Sequence, residues 1–163
     1  MASGGIVPVM SPDDIDLAIL RALDRDARTP MAAIADAAGV SRATAYTRVN
    51  RLSESGVLRR YTINTDPGQL GWQFSALVVL SGGQLNWREL GERLSDNRHV
   101  QWAAFLAGGF DIALLLRGRT MDEIRWVLME EIHQLPGIRG TQTYFVLDEL
   151  VEHRNLIPPA APS

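Results

Sequence analysis

The sequence predicts an α+β chain in two parts, three short helices followed by a unit of order βαββαβ. Three observations carry this. Apolar residues recur at helical spacing in three blocks before residue 60. The turn tripeptide Asp66-Pro67-Gly68 then marks a change from Ala- and Arg-rich sequence to sequence rich in Val, Leu, Trp and Phe. Beyond it, strand-like and helix-like runs alternate. The length, 163 residues, suits one ordinary domain or two small ones, and 46% hydrophobic content is that of a core-forming chain.

The first helix is set by Ile15, Ala18, Ile19, Ala22 and Leu23, with Ser11-Pro12-Asp13 supplying a cap, a proline and early acids. Thr29-Pro30 restarts the chain. Met31, Ile34, Ala35 and Ala38 then make a short second helix that stops at Gly39, a residue free to turn left-handed. Ser41 is a good N-cap for a third helix with Ala45, Val49 and Leu52 as its buried stripe, closed by Gly56. Val57 to Ile63 reads as a strand or β-ribbon.

In the second part, Phe74 to Leu80 reads as a strand, and Asn86 to Leu94 as a helix with Trp87, Leu90 and Leu94 on one face. Glu89 with Arg93, and Arg88 with Glu92, stand at i,i+4 on its outer side. Val100 to Ala107 and Phe110 to Arg117 form a strand pair turned by Gly108-Gly109. Met121 to Leu135 is a helix with Met121, Ile124, Leu128, Ile132 and Leu135 inward, stopped by Pro136-Gly137, and Ile138 to Leu147 is the last strand. The order is that of a ferredoxin-like unit, a four-stranded antiparallel sheet with two helices on one face. The expected limits are a disordered extension over 1–11, a helix-turn-helix domain over 12–63, a linker over 64–73, the ferredoxin-like domain over 74–150 and a tail over 151–163, with the proline-rich end also disordered.

Composition narrows the chemistry. There is no cysteine, hence no disulfide framework and no thiolate zinc site, and His99, His133 and His153 are too scattered for a metal motif. No cofactor is implied. No apolar run approaches the roughly 20 residues of a membrane span, and the N-terminus lacks a basic leader, so a soluble, cytoplasmic protein is expected.

The net charge of -3 argues against nucleic acid only on average. All 16 basic residues are arginine, and five of them lie between Ser41 and Arg60 against one acid, Glu54. Outward positions of the third helix also carry Thr44, Tyr46, Thr47 and Asn50, side chains suited to phosphates, base edges and thymine methyls. An arginine-bearing helix face is by default only solvated. Two helices joined by a glycine turn, with a reading face on the second, turn the balance toward double-stranded DNA. The candidate contacts are Ser41, Arg42, Thr44, Tyr46, Thr47, Arg48, Asn50 and Arg51, although Arg48 could instead brace Asp36 or Glu54.

Both faces of the second part's strands are apolar. In the run from Phe110 to Leu116 one alternate set is Phe110, Ile112, Leu114 and Leu116, and the other contains Ala113 and Leu115. With helices on one side only, an identical sheet is expected to cover the other, making a homodimer.

These residues resemble the Lrp/AsnC, or feast/famine, family of transcriptional regulators. The run Ser41-Arg-Ala-Thr-Ala-Tyr-Thr-Arg-Val-Asn-Arg-Leu-Ser-Glu-Ser-Gly-Val-Leu is similar to the family's S-x-x-x-V-x-x-R-V-x-x-L-x-x-x-G-V-I, and Tyr61 and the Asp66-Pro67 turn follow it. Gly108-Gly-Phe-Asp-Ile resembles G-x-Y-D-Y, and Leu135-Pro-Gly-Ile-Arg-Gly-Thr-Gln-Thr resembles L-P-G-V-x-x-T-x-T. Ala45, Leu58 and Phe110 depart from the pattern, and residues after Glu152 have no counterpart.

The resemblance implies a non-enzymatic regulator with a winged or simple helix-turn-helix, a linker strand and a ligand-binding domain that dimerises, often further to tetramers or octamers. It also implies an amino acid or related metabolite as effector, bound between C-terminal domains. The residues expected there are Leu106, Gly108, Gly109, Phe110, Asp111, Thr141 and Thr143. Backbone N–H groups at the glycines would receive a carboxylate, Asp111 an amino group, and the two threonines would offer hydroxyls from one face of the last strand. Against this, the glycines could simply form a tight hairpin that Asp111 caps. Two alternatives stand beside this reading. A sirohaem-decarboxylase-like enzyme of the same plan would need histidine and arginine around a tetrapyrrole-sized cavity. The other alternative is an architectural DNA-wrapping protein without a ligand.

Overall fold

The computed structural model describes residues 11–83, 86–151 and 155–159. They divide into two compact units, one running to Asn64 and the other spanning Thr65–Val151. Residues 155–159 group with the first unit, not with the domain they follow in sequence. There Asn155 Nδ2 donates to Asp24 Oδ1 at 2.6 Å and Arg21 donates to the Pro158 carbonyl. Residues 155–159 of the expected tail carry no regular secondary structure, and the expected extension before Ser11 and the last four residues lie outside the described residues.

The first unit contains α1 (Asp14–Arg25), α2 (Met31–Ala38) and α3 (Arg42–Glu54). Asp13 caps α1 in a reciprocal box, Asp16 N donating to Asp13 Oδ1 at 2.9 Å and Asp13 N to Asp16 Oδ2 at 3.1 Å. Gly39 closes α2 at φ 65, the left-handed conformation that its missing Cβ permits. Ser41 Oγ then accepts from Thr44 N at 3.1 Å and starts α3. The core joins Ile19, Ala22 and Leu23 to Ile34, Val49 and Leu52. No strand forms over Val57 to Ile63, contrary to expectation. A strand needs a neighbour to satisfy its N–H and C=O groups, and this unit holds no other strand among the described residues.

The second unit runs β1 (Phe74–Gly82), α4 (Trp87–Asp96), β2 (Val100–Phe105), β3 (Ile112–Gly118), α5 (Met121–Trp126) and β4 (Ile138–Val146). Its four strands are antiparallel in the order β2-β3-β1-β4, the ferredoxin-like topology. Ala76, Val78 and Leu80 with Ile112, Leu114 and Leu116 face the helices and meet Leu90, Leu94, Ile124, Val127 and Ile132 in one core. On α4 the pair Glu89–Arg93 forms at 2.9 Å, while Arg88 and Glu92 form none among the described residues. Trp87, expected inward, is half exposed and stands edge-on to Phe105, ring centroids 4.6 Å apart.

The second helix departs from the α period. Val127–Ile132 is π-helical, and His133 N reaches back to Leu128 O at 2.9 Å. The buried stripe accordingly steps Ile124, Val127, Ile132, Leu135, leaving Met121 exposed and Leu128 only partly buried.

The register settles the other face of the sheet. Leu77 pairs with Leu115 and Tyr144, Val79 with Ala113, and Trp102 with Leu115, so these side chains share the face away from the helices. Val79 and Ala113 are buried among their neighbours, whereas Trp102 and Tyr144 are about half exposed. Arg117, at the margin, donates to Ser75 and to Glu149.

Candidate nucleic-acid interface and effector region

The arginines of α3 divide into two kinds. Arg48 and Arg51 point back into their own unit. Arg48 Nη1 donates to Asp16 Oδ1 at 3.1 Å and also to Asp13, and Arg51 Nη2 donates to Asp16 Oδ2 at 2.6 Å. Asp16 is fully buried, and its carboxylate also accepts from Asp13 N. The Arg48 guanidinium, followed by the Asp16 N–H, holds the Asp13 carboxyl down at about 2, and Asp13 and Asp16 in turn raise the pKa of Arg48. The partners of Arg48 are therefore on α1, and neither Asp36 nor Glu54 takes it.

The opposite side of α3 is open. Arg42, Thr44, Tyr46, Thr47 and Asn50 are exposed, and Arg42 lies over the Tyr46 ring with its guanidinium carbon 5.9 Å from the centroid. Among the described residues Arg42, Arg59 and Arg60 form no ion pair. Ser41 and Thr44 are partly occupied by the cap, their hydroxyls 2.8 Å apart, and Thr47 Oγ1 donates to Ala43 O at 3.1 Å. The pairing of Arg48 and Arg51 had a signal in the sequence. Arg48 sits three residues after Ala45 and four before Leu52, inside the buried stripe, and Asp16 occupies the matching place before Ile19 and Leu23.

The expected effector residues gather at one end of the sheet. Leu106 N donates to Asp111 O at 2.9 Å, closing the hairpin that holds Gly108, Gly109 and Phe110, and Asp111 N donates to Leu80 O at 2.9 Å. Phe110 and Asp111 thus belong to the turn and not to β3. Asp111 Oδ2 accepts from Gly82 N at 2.8 Å, so one oxygen ties the hairpin to the end of β1. Neither Gly108 nor Gly109 has positive φ, and a Cβ at either would meet open space. Their N–H groups have no backbone partner among the described residues.

Thr141 and Thr143 lie on the helix side of β4, paired with Leu80 and Val78. Thr141 Oγ1 is 2.6 Å from His133 Nε2, a contact the sequence reading missed because the π-helical stretch rotates His133 onto it. From β3 to β4 is two strand spacings, about 10 Å, so hairpin and threonines flank the sheet end without touching. A separate cleft of about 370 Å³ lies between α4 and β2, walled by Gly91, Leu94, Gln101, Trp102 and Phe105, with no histidine or arginine in its lining. His99 is buried elsewhere, its Nδ1 3.0 Å from Arg117 O and its ring edge-on to Trp72. No helix among the described residues is long and apolar enough to cross a membrane.

An open helix-turn-helix face joined to a βαββαβ unit defines a DNA-binding regulator with a ligand-binding domain, and comparison with known proteins agrees. Residues 13–53 match an AsnC-type helix-turn-helix domain and residues 75–156 an Lrp/AsnC ligand binding domain. The chain belongs to the Lrp/AsnC family of transcriptional regulators. It is 33% identical over 141 residues to the HTH-type transcriptional regulator AldR of Mycolicibacterium smegmatis, covering 85% of this chain and 82% of that one. It is 28% identical to the regulator FL11 of Pyrococcus abyssi, covering 85% and 91%. Among solved structures, E. coli AsnC superposes with a TM-score of 0.81 at 27% identity, covering 90% of this chain and 98% of that one. A Neisseria meningitidis regulator in complex with L-methionine gives 0.82 at 19% identity over 91% and 97%, a likeness of fold.

Proposed function

We propose that the chain is a homodimeric, sequence-specific regulator whose DNA affinity is set by an amino acid or a related metabolite. The observation that carries the reading is the division of α3 into a braced inner side and an exposed outer side bearing Arg42, Thr44, Tyr46, Thr47 and Asn50. Arg42 and Tyr46 are the principal base readers, with Ser41 and Thr44 presenting the helix N-terminus to a phosphate. Two copies related by a dyad reach successive major grooves, so the operator is a pseudo-palindrome with half-sites roughly 34 to 36 Å apart, or a multiple of that.

The dimer forms through the sheet face that carries Leu77, Leu115, Trp102 and Tyr144, and pairs of dimers extend it to tetramers or octamers. The effector binds at the hairpin end of the sheet. There the free N–H groups of Gly108 and Gly109 take its carboxylate, and the Asp111 oxygen not held by Gly82 takes its ammonium group. Leu106 and Phe110 supply the apolar wall, and Thr141 and Thr143 contribute from the far side of the sheet end. The structural neighbour that binds L-methionine makes that amino acid the first to try.

Selection of bound fragments from sheared genomic DNA is the test. Recovery of a pseudo-palindrome is expected, with affinity that falls steeply with salt and drops in Arg42→Ala and Tyr46→Ala. Wild-type affinity in both variants removes α3 as the reader. Calorimetry against the twenty amino acids is expected to give heat with at least one, together with a shift in oligomer size or DNA affinity. No response to any of them removes the effector part of the proposal.

A further inference from the structure

We infer that Asp16 is a positioning residue for DNA recognition, fixing the rotation of α3 by holding Arg48 and Arg51 and so withdrawing both arginines from the DNA. The inference rests on the proposed reading of DNA by α3. Its basis is how little else holds that helix. The buried stripe of α3 consists of Ala45, Val49 and Leu52 over 13 residues, a small apolar area for an element that must present one face accurately.

One helical residue spans 100° of rotation. A roll of a single residue would carry Tyr46 toward the core and take Arg42 off the reading face. Apolar packing is non-directional and resists such a roll weakly. Two guanidinium groups meeting one buried carboxylate resist it strongly, because each bond tolerates only narrow geometry and Asp16 is fully buried.

Asp16 is itself tethered, its own oxygen accepting from Asp13 N in the cap of α1. A buried ion pair of this kind adds little net stability compared with apolar packing, but it specifies register, which is the property a reading helix needs. The same bonds engage two of the eight candidate contacts, Arg51 through Nη2 while 47% of its side chain stays exposed. Arg48 is 22% exposed and bound to two carboxylates, so reaching a phosphate would break both of those bonds.

Binding of the operator recovered from the genomic selection tests this with Asp16→Asn and Arg51→Gln, the second variant being half exposed and tolerant of folding. Both are expected to bind at least tenfold more weakly than wild type, with circular dichroism retained and the slope of log affinity against log salt unchanged. Loss of a phosphate contact, in contrast, lowers that slope by about 1. A slope lowered by about 1 in Arg51→Gln, or wild-type affinity in both variants, overturns the inference. Amide exchange in the free protein gives a reading independent of DNA. In Asp16→Asn the amides of Val49 and Leu52 are expected to exchange at least tenfold faster while those of α2 keep their protection. Equal protection overturns the inference even if the wild-type chain retains no DNA, a result that would by itself remove the proposed function.

Discussion

Arg51 Nη2 on α3 lies 2.6 Å from Asp16 Oδ2 on the first turn of α1, and Arg48 takes the other oxygen of the same carboxylate at 3.1 Å. The pairing connects the cap of one helix to the orientation of another. It also changes the electrostatics of the outer surface, because two of the five arginines between Ser41 and Arg60 are neutralised within the unit. Arg42, Arg59 and Arg60 supply the positive charge that remains exposed.

Asp13 makes the first unit sensitive to acid. Its folded pKa is depressed to about 2 from 3.8 by the Arg48 guanidinium, so its contribution is complete above pH 4 and is lost as the pH falls through 2. Asp13 is half exposed, and screening keeps the effect to about 1 kcal/mol or less. Thermal melts from pH 5 down to pH 2 are expected to show Asp13→Asn less stable than wild type at pH 5, with the difference shrinking toward pH 2. A constant difference across that range would contradict the assignment.

Gly39→Ala tests the turn between α2 and α3. A Cβ there meets nothing within 4 Å, so the cost is the left-handed backbone alone, about 1 kcal/mol, and Gly39→Asn is expected to recover part of it. Urea midpoints of the three proteins give the comparison, and an Ala variant as stable as wild type would disprove it.

Leu80→Ala tests the core beneath α4 and α5. Leu80 is fully buried at the centre of that cluster, and its truncation is expected to cost about 2–5 kcal/mol. A loss below 1 kcal/mol in denaturant unfolding would mean that the helices close over the gap.

Leu115→Glu tests the open sheet face. Leu115 pairs with Leu77 and Trp102 on the side away from the helices, so a carboxylate there should leave the fold intact and break dimerisation. Sedimentation is expected to give a monomer where wild type gives a dimer or larger. An unchanged assembly would place the interface elsewhere.

The helices and their ends were legible because they depend on near neighbours in sequence. Ser41, Gly39 and the stripe of Ala45, Val49 and Leu52 act within one or two turns, as do the glycine and proline stops. Asp13 was legible as part of a cap for the same reason. Val57 to Ile63 shows the opposite case, a segment with strand-forming residues and no strand beside it among the described residues of its unit. The alternation that predicts β3 from Phe110 runs on through the turn, whereas the ladder begins at Ile112. The stripe of α5 was misphased after Ile124 because the π-helical hydrogen bonds at Val127–Ile132 are not written in the hydrophobic pattern.

By itself the sequence determined the order of elements, the division into a helical part and a sheet part, and the family resemblance. All of these follow from local propensity, period and motif. Only the tertiary structure decided which arginines of α3 pair with Asp16, that His133 meets Thr141, and that Asp111 anchors the hairpin to Gly82. Each of those is a bond between groups distant in sequence or displaced from the regular helical period. A charged side chain is drawn to whichever partner the packing of the whole unit brings within reach, and the residue alone does not name it.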